Sequence, residues 1–344
     1  MRASGQGNWK KWLWVLPVVA LVAAAAVLLD RFAPGSRLGQ EDEPGKTVED
    51  MLQPDQTDEA PLQYQGKWYQ RNQDTRTYLV MGIDRPGEAG ETGSYIGGGQ
   101  ADMLMLLVLD PVAKTSTILQ LNRDTMTEVE VLGVMGDVVG TQTMQLCLAH
   151  GYGTGVEDSC ENTVRAVSNL LYGTPIDGYA AIQMDAIPIL NDAVGGVTVT
   201  IEDDFSDVDP SLVQGEEMTL HGQQAYSYLR YRHYVGDSTN LSRMRRHRTY
   251  LAEFSKQAQK ALLENPNFIN TLYQDLSAYM VTDISGADAG QLAQQFYQYT
   301  SQGVKTLEGE AKLGEVYMEY YVDEESVIET VLQLFYTETE QPGG

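Results

Sequence analysis

Three short apolar runs, at residues 77–83, 103–109 and 115–121, constrain the fold of this chain more than any other feature. Each run is seven residues long, is rich in aliphatic side chains, and borders polar or turn-forming residues. Continuous apolar runs of this length are typical of strands that are buried inside a sheet. We therefore expect neighbouring buried strands in an α/β domain.

Charged side chains stand at one end of each run. Asp84 and Arg123 follow the first and the third run closely, whereas Asp102 comes directly before the second. If the second strand is antiparallel to its neighbours, all three side chains meet at the same edge of the sheet. Ligands of open α/β sheets bind at such an edge. The pattern therefore predicts that Asp84, Asp102 and Arg123 lie at one ligand site.

The densest positive charge in the sequence lies at residues 221–248. This stretch contains six arginines, Arg230, Arg232, Arg243, Arg245, Arg246 and Arg248. The whole chain has 23 Lys+Arg against 48 Asp+Glu and a net charge of −25, which argues against general nucleic-acid binding. A planar guanidinium binds phosphate bidentately, so the arginines favour a local site for a phosphate-bearing ligand. Charge alone leaves open the alternative of a solvated helix face that pairs with the surplus carboxylates.

Two predicted helices hold these arginines. The first, at residues 222–231, places Arg230 and Arg232 at its C-terminal end. The helix dipole favours cations at that end, which gives these two side chains a purely structural alternative role. The second helix is predicted from about residue 241 to residue 263.

The spacing of the arginines on the second helix limits how many can share a ligand. Arg243 and Arg246 lie on one face, three residues apart, and Arg245 and Arg248 lie on another. At most two of the four can therefore point into one pocket. We interpret Arg245 and Arg248 as solvated or salt-bridged.

The N-terminal region has the layout of a membrane anchor. Residues 1–11 are basic, and residues 12–29 are free of charge over a length at the lower end for a membrane-spanning helix. The positive flank predicts a cytoplasmic N-terminus, hence a single-pass protein of the cell membrane with its main domain outside. A cleaved signal peptide is the alternative, although the uncharged run is longer than a usual signal core. Residues 30–74 are interpreted as an extracellular linker, 75–338 as the main domain and 339–344 as a flexible tail.

The sequence contains two cysteines, Cys147 and Cys160. Outside the cell membrane, a pair at this spacing predicts a disulfide that closes a short loop. Two free buried thiols are one alternative. A metal site is another, but only His150 lies between the two cysteines, which is a weak metal signal.

Six segments, taken in order, resemble the LytR-CpsA-Psr proteins of Gram-positive bacteria. The matching segments are residues 79–85 (LVMGIDR), 101–106 (ADMLML), 122–125 (NRDT), 195–197 (GGV), 222–232 (GQQAYSYLRYR) and the pair Arg243 and Arg246. The resemblance covers roughly residues 75–338. A short cytoplasmic tail, one span and an extracellular domain also fit the layout of the family.

The resemblance implies both a fold and a function. The implied fold is a three-layer α/β/α sandwich with a central mixed β-sheet, preceded by one transmembrane helix. The implied function is transfer of a glycopolymer, such as a teichoic acid or capsule polymer, from a polyprenyl-pyrophosphate carrier to peptidoglycan. Two other functions stay open: a non-catalytic membrane-anchored binder of anionic or lipid-linked wall polymers, and a polyprenyl-pyrophosphate pyrophosphatase.

The resemblance also implies roles for individual residues. Asp84 and Asp102 would hold Mg²⁺, which takes few protein carboxylates and completes its shell with phosphate oxygens and water. Five arginines would bind the phosphates: Arg123, Arg230, Arg232, Arg243 and Arg246. All of these except Arg246 would also stabilise the charge that develops during transfer. Asp124 would orient Arg123.

Three positions depart from the family pattern. Asn122 stands where the family usually has proline, Asn240 where many members have aspartate, and His247 where glutamine is usual. If that aspartate acts as a base in relatives, this chain must use another group. Asp237, in the same loop, is the candidate.

Overall fold

A computed structural model of the chain describes residues 61–341. The strands are β1 (Leu62–Tyr64), β2 (Lys67–Arg71), β3 (Arg76–Asp84), β4 (Gln100–Asp110), β5 (Thr115–Leu121), β6 (Met126–Leu132), β7 (Val138–Gln145), β8 (Gly178–Gln183), β9 (Val197–Thr200), β10 (Glu217–Leu220), β11 (Met280–Thr282), β12 (Thr300–Thr306), β13 (Gly309–Leu313), β14 (Met318–Val322) and β15 (Tyr336–Thr339). The α-helices are α1 (Glu157–Leu170), α2 (Ile187–Ala193), α3 (Gln223–Arg230), α4 (Asn240–Glu264), α5 (Phe268–Leu276), α6 (Gly286–Gln298) and α7 (Glu324–Phe335).

A six-stranded mixed sheet lies at the centre, in the order β11-β8-β3-β4-β5-β12. Strand β4 is antiparallel to both β3 and β5, whereas β8 and β12 run parallel to their neighbours β3 and β5. The three predicted strands are thus confirmed as β3, β4 and β5. Because β4 is antiparallel to both neighbours, the end of β3, the start of β4 and the end of β5 lie at one edge, as predicted.

Helices cover both faces of this sheet. One apolar cluster packs β3 and β4 against α2 to α6, with Tyr250, Leu251 and Phe254 of α4 at its centre. The second cluster packs the opposite face against α1 and α7. The architecture is therefore a three-layer α/β/α sandwich with a central mixed sheet.

Helix α7 illustrates how the sequence sets these layers. Asp323 caps its N-terminus by accepting a hydrogen bond from the N–H of Glu325, and acidic residues in the first turn suit the helix dipole. Its buried side chains recur with helical spacing, at Val327, Ile328, Val331, Leu332 and Phe335. The resulting apolar stripe faces the sheet.

The folded domain extends beyond the predicted boundaries. Strands β1 and β2 fall inside the region predicted as a linker, and β2 pairs with β15 at the other end of the chain. The linker prediction of 30–74 is therefore wrong for residues 62–71, because their backbone hydrogen bonds close a three-stranded sheet. Within residues 61–341, no helix combines the length and apolarity that a membrane crossing requires. The predicted span at 12–29 lies outside the described residues.

The loop between α3 and α4 depends on one glycine. Gly236 has a φ of +55°, and a Cβ there would lie 2.7 Å from Asp203 Oδ1. Any other residue would be both strained and crowded at this point. The loop ends at Thr239, whose side chain caps α4 by accepting a hydrogen bond from the N–H of Ser242.

Candidate active site

An irregularity in the sheet positions the central carboxylate. Gly82 pairs with Met103, and Ile83 pairs with Ala101, so Asp102 is an extra residue between two regular pairs of β3 and β4. Bulges of this kind change the direction of a side chain and are frequent next to active sites. The bulge therefore lets Asp102 reach arginines from both β5 and α4.

Asp102 joins two buried arginines. Arg123 Nη1 contacts one of its carboxylate oxygens, and Arg243 Nη1 donates to the other at 2.6 Å. Arg243 Nη2 also donates to the Asp102 carbonyl oxygen at 3.2 Å. Burial alone would raise the pKa of Asp102, but Arg243 and Arg123 outweigh it and lower the pKa. Asp102 is therefore ionised and fixed in place.

Asp124 is a second buried carboxylate in the same cluster. It lies 3.2 Å from Arg123 Nε, 3.4 Å from Arg232 Nη1 and 3.1 Å from Gln145 Nε2. Burial raises the pKa of Asp124 in spite of the two arginines. Asp124 thus contacts Arg123, as the predicted orienting role requires, and it also contacts Arg232.

Arg123 is held by two further side chains that the sequence did not indicate. Its Nη2 donates to Gln100 Oε1 at 2.6 Å and to Cys147 Sγ at 2.7 Å. Its Nε is buried and has no hydrogen-bond partner within residues 61–341, because the contact with Asp124 is an ion pair without hydrogen-bond geometry. The position of Gln100 at the start of β4, near Asp102, is a weak sequence signal that it belongs to the site. The sequence gives no such signal for Gln145 or Cys147.

The cluster has more positive than negative charge. Three arginines (Arg123, Arg232 and Arg243) face two carboxylates (Asp102 and Asp124), which leaves one positive charge. Burial lowers the pKa of Arg232, and the neighbouring Arg123 and Arg243 lower it further. An anion that entered this site would relieve that repulsion.

Asp84 and Arg230 form a more open pair beside the cluster. Arg230 Nη2 donates to Asp84 Oδ1 at 2.8 Å, and the two side chains are 33% and 37% exposed. No described residue hydrogen-bonds to the other carboxylate oxygen of Asp84. The carbonyl oxygen of Arg230 accepts a hydrogen bond from Arg243 Nη1 at 3.4 Å, which joins this pair to the cluster.

An apolar pocket begins where the charges end. Its lining consists of Val80, Gly82, Met103, Met105, Ile182, Gln183, Met184, Ile187, Leu190, Leu229, His247, Tyr250, Leu251 and Phe254. Met103 and Leu229 are chain neighbours of Asp102 and Arg230. Burial lowers the pKa of His247 to about 3, and Arg243 adds to this effect, so the imidazole is neutral. Its Nε2 donates to the Leu229 carbonyl oxygen at 2.9 Å.

Arg246 does not belong to the cluster, contrary to its prediction as a ligand-binding residue. Its side chain is fully buried and pairs with Asp203 at 2.6 Å. It also donates to the carbonyl oxygens of Tyr228 and Tyr231. Arg246 therefore fixes the end of α3, from which Arg230 and Arg232 project.

Asp237 is likewise not part of the cluster. It is exposed, and its Oδ1 accepts hydrogen bonds from the N–H and the hydroxyl of Thr239 at 2.9 and 2.7 Å. These bonds form a local turn before α4. The residue of this segment that does reach the cluster is Asn240, whose amide contacts Arg243 and Asn122.

The predicted disulfide between Cys147 and Cys160 is wrong, because both thiols are free and buried. Cys147 Sγ accepts a hydrogen bond from Arg123 Nη2, and burial raises the pKa of the Cys147 thiol to about 12. Cys160 Sγ lies 3.8 Å from His150 Nε2. In the part of the chain that the structure describes, no group of three or more His, Cys, Asp or Glu could hold a metal ion by itself.

Comparison with known proteins identifies a family. The model of the LytR_cpsA_psr family matches residues 42–335. The chain is 33% identical over 160 residues to "Polyisoprenyl-teichoic acid--peptidoglycan teichoic acid transferase TagV" of Bacillus subtilis, a match of 45% of this chain and 36% of that protein. It is 29% identical over 223 residues to the TagU transferase of Enterococcus faecalis, a match of 64% of this chain and 66% of that protein. In four curated teichoic acid transferases, the part aligned with this chain spans 36% to 46% of their length.

Solved structures share the fold. The structure titled "TagT bound to LIIa-WTA" has a TM-score of 0.56 and 20% identity, and the match covers 76% of this chain and 90% of that one. The crystal structure of Bacillus subtilis TagV has a TM-score of 0.55 and 24% identity, with 76% and 96% covered. At these identities the likeness shows the fold alone.

Proposed function

We propose, because the chain belongs to the LytR-CpsA-Psr family, that it transfers a glycopolymer from a polyprenyl-pyrophosphate carrier to peptidoglycan. The curated relatives named as teichoic acid–peptidoglycan transferases support a transferase of this general class. The proposed site of action is the outer face of the cell membrane, with residues 12–29 as the anchor and the N-terminus in the cytoplasm.

The observation that supports this function most directly is the contact between two unlike sites. A buried cluster with a surplus positive charge lies beside a pocket lined almost wholly by apolar side chains. A ligand that fills both must have an anionic head and a long apolar tail. A polyprenyl pyrophosphate has this chemistry, and its glycopolymer would extend from the charged end into solvent.

The geometry suggests what each arginine does during transfer. Arg123, Arg232 and Arg243 would bind the phosphate oxygens, with Asp102 and Asp124 holding the guanidinium groups in place. The acceptor hydroxyl attacks the sugar-proximal phosphorus and gives up its proton to water, the bond to the bridging oxygen breaks, and polyprenyl phosphate leaves. Negative charge grows on that leaving group, and fixed guanidinium groups stabilise it without reorganisation. Arg230, partly exposed at the rim, would bind the pyrophosphate from the solvent side.

Asp84, beside the cluster, and Asp102, within it, are the carboxylates that fit Mg²⁺. Asp84 has one oxygen that no described residue engages, whereas each oxygen of Asp102 contacts an arginine, so the ion would share Asp102 with Arg123 and Arg243. Mg²⁺ is commonly bound by one or two carboxylates, with phosphate and water as its remaining ligands. When bound, the ion would neutralise charge on the pyrophosphate. We propose Asp84 and Asp102 as its protein ligands.

The test uses the full 344-residue chain in detergent with a polyprenyl pyrophosphate and follows phosphate release with and without Mg²⁺. We expect Mg²⁺-dependent release that is lost in Asp102→Ala and in Arg243→Ala. Arg245→Ala is the matched control, because it removes the same charge from an exposed position of α4. A peptidoglycan fragment added as acceptor should divert the product from free phosphate to a phosphorylated fragment, and with a carrier that holds a glycopolymer the product should be the polymer linked to the fragment.

Three outcomes would contradict a transferase. Tight binding that needs Arg243, without turnover towards water or acceptor, would indicate a lipid-linked polymer binder. Release to water that an acceptor never diverts would indicate a pyrophosphatase. If neither binding nor release is observed, the pocket and the cluster bind another ligand.

A further inference from the structure

We propose that Asn122 and Asn240 act as one matched amide pair that positions Arg243 for its anionic ligand. The proposal rests on the proposed function for the identity of that ligand, but the pair itself is a property of this structure. Neither residue is expected to touch the reacting atoms. Both are positioning residues.

Asn240 contacts Arg243 directly. The Asn240 side chain is buried, and its Oδ1 accepts hydrogen bonds from Arg243 Nη2 at 2.9 Å and from Arg243 Nε at 3.2 Å. The same guanidinium donates to Asp102 through Nη1. Among side chains, Arg243 is therefore held between the charged carboxylate of Asp102 and the neutral amide oxygen of Asn240.

Asn122 sets the direction in which Asn240 points. Asn240 Nδ2 donates to Asn122 Oδ1 at 2.7 Å, in a buried contact between residues 118 positions apart in the chain. Asn122 Oδ1 also accepts from the backbone N–H of Asp124 at 3.0 Å. A backbone N–H can only donate, so Asn122 cannot turn its amide over without losing that bond. Asn240 must then offer its NH₂ to Asn122 and its oxygen to Arg243.

These contacts close into a ring. The members in order are Asp124, Asn122, Asn240, Arg243, Asp102 and Arg123, and an ion pair from Arg123 back to Asp124 completes it. Each member fixes the orientation of the next. The two asparagines are the neutral members of the ring, and they do not reduce the surplus positive charge of the cluster.

The ring predicts results of different size for the same chemical change at its two amides. Aspartate at position 122 keeps an acceptor towards both of its donors, Asp124 N–H and Asn240 Nδ2. Aspartate at position 240 places a second oxygen against Asn122 Oδ1, where a donor is required. Both changes add one negative charge to the same cluster, so their difference isolates the hydrogen bond from the charge.

The experiment measures binding of inorganic pyrophosphate to the full chain by calorimetry and the urea midpoint of unfolding. We expect Asn240→Asp to weaken binding roughly 10- to 100-fold, the range for a buried polar group without its partner. Asn122→Asp should weaken it several-fold less than Asn240→Asp, because both donors that face position 122 keep an acceptor. Asn122→Ala combined with Asn240→Asp should recover part of the loss, because the repelling oxygen is gone. Asn270→Asp, exposed on α5, is the control and should bind like the wild type.

Equal weakening by Asn122→Asp and Asn240→Asp would overturn the proposal, because charge alone would explain it. So would an Asn240→Asp protein that binds normally, or a double variant without recovery. Failure of the wild type to bind pyrophosphate would instead count against the proposed function. The pair is then still tested by unfolding, where Asn240→Asp must lower the urea midpoint more than Asn122→Asp; equal midpoints would overturn it.

Discussion

Arg243 and Arg246 lie three residues apart on one face of α4, and each donates to a buried aspartate at 2.6 Å. Their surroundings differ. Like Arg243, Arg246 donates to protein acceptors, and these are Asp203, Ser242 and two carbonyl oxygens at the end of α3. Arg243 shares its partner, Asp102, with another arginine, and the contacts continue from there to the open edge of the sheet.

The difference shows that burial does not separate a structural ion pair from a binding one. Both arginines are buried. What differs is the charge balance. Arg246 and the half-exposed Arg245 have two carboxylates, Asp203 and Glu202, whereas the cluster around Arg243 has three guanidinium groups for two carboxylates. A balanced pair stabilises the fold, and an unbalanced one attracts a ligand.

The largest expected effect comes from breaking the balanced pair. Arg246→Met should reduce the free energy of unfolding by roughly 3–5 kcal/mol, because buried Asp203 loses its close counter-ion and keeps only the half-exposed Arg245 at 3.6 Å. Urea denaturation followed by circular dichroism measures this. Arg246→Met combined with Asp203→Leu should recover much of the loss, since it removes the unpaired charge. A single variant that unfolds like the wild type would contradict the structural role.

The next effect concerns the unbalanced cluster. Arg243→Lys keeps the charge beside Asp102 but loses the planar fork that contacts Asp102 and Asn240 together. We expect phosphate release to fall about 100- to 1,000-fold, as when one fixed donor to a developing anion is lost. Stability should change far less than in Arg246→Met. Equal losses of stability in both variants would erase the distinction between the two regions.

Arg243 and Arg246 also show how far the site can be predicted from the sequence. The apolar runs predict the strands because hydrophobic pattern and local propensity determine them, and β4 between two antiparallel neighbours brings Asp102 to Arg123. No local rule separates Arg243 from Arg246, because their partners Asp102 and Asp203 are 141 and 43 residues away in the chain. The same holds for Cys147, whose partner is an arginine of the site, 24 residues away.

A smaller effect concerns the pH dependence of stability, and it follows from His247, whose pKa is lowered by burial and further by both Arg243 and Arg246. His247 has its pKa lowered from 6.5 to about 3 in the folded chain, so only the unfolded chain takes up its proton between these values. Its contribution to stability is complete above pH 6.5 and is lost as the pH falls, by about 2 kcal/mol at pH 5. His150, with a pKa of about 4, contributes in the same direction.

His247→Gln separates these two contributions. Glutamine can still donate to the Leu229 carbonyl oxygen but takes up no proton. Urea unfolding at pH 7 and at pH 5 should show that the wild type loses about twice as much stability over this interval as the variant. An unchanged difference between the two pH values would mean that His247 is protonated in the folded chain.

The smallest effect sharpens the comparison most, because it comes from the residue between Arg243 and Arg246. Arg245 contacts Glu202 at 3.4 Å, but the two side chains are 50% and 41% exposed. Solvent screens such a pair, so Arg245→Ala should change the free energy of unfolding by less than about 1 kcal/mol. Phosphate release should also stay at the wild-type rate, since Arg245 is directed away from the cluster and towards Glu202 and Asp203. A loss of release in this variant would mean that total positive charge on α4, rather than the closed contacts of Arg243, attracts the ligand.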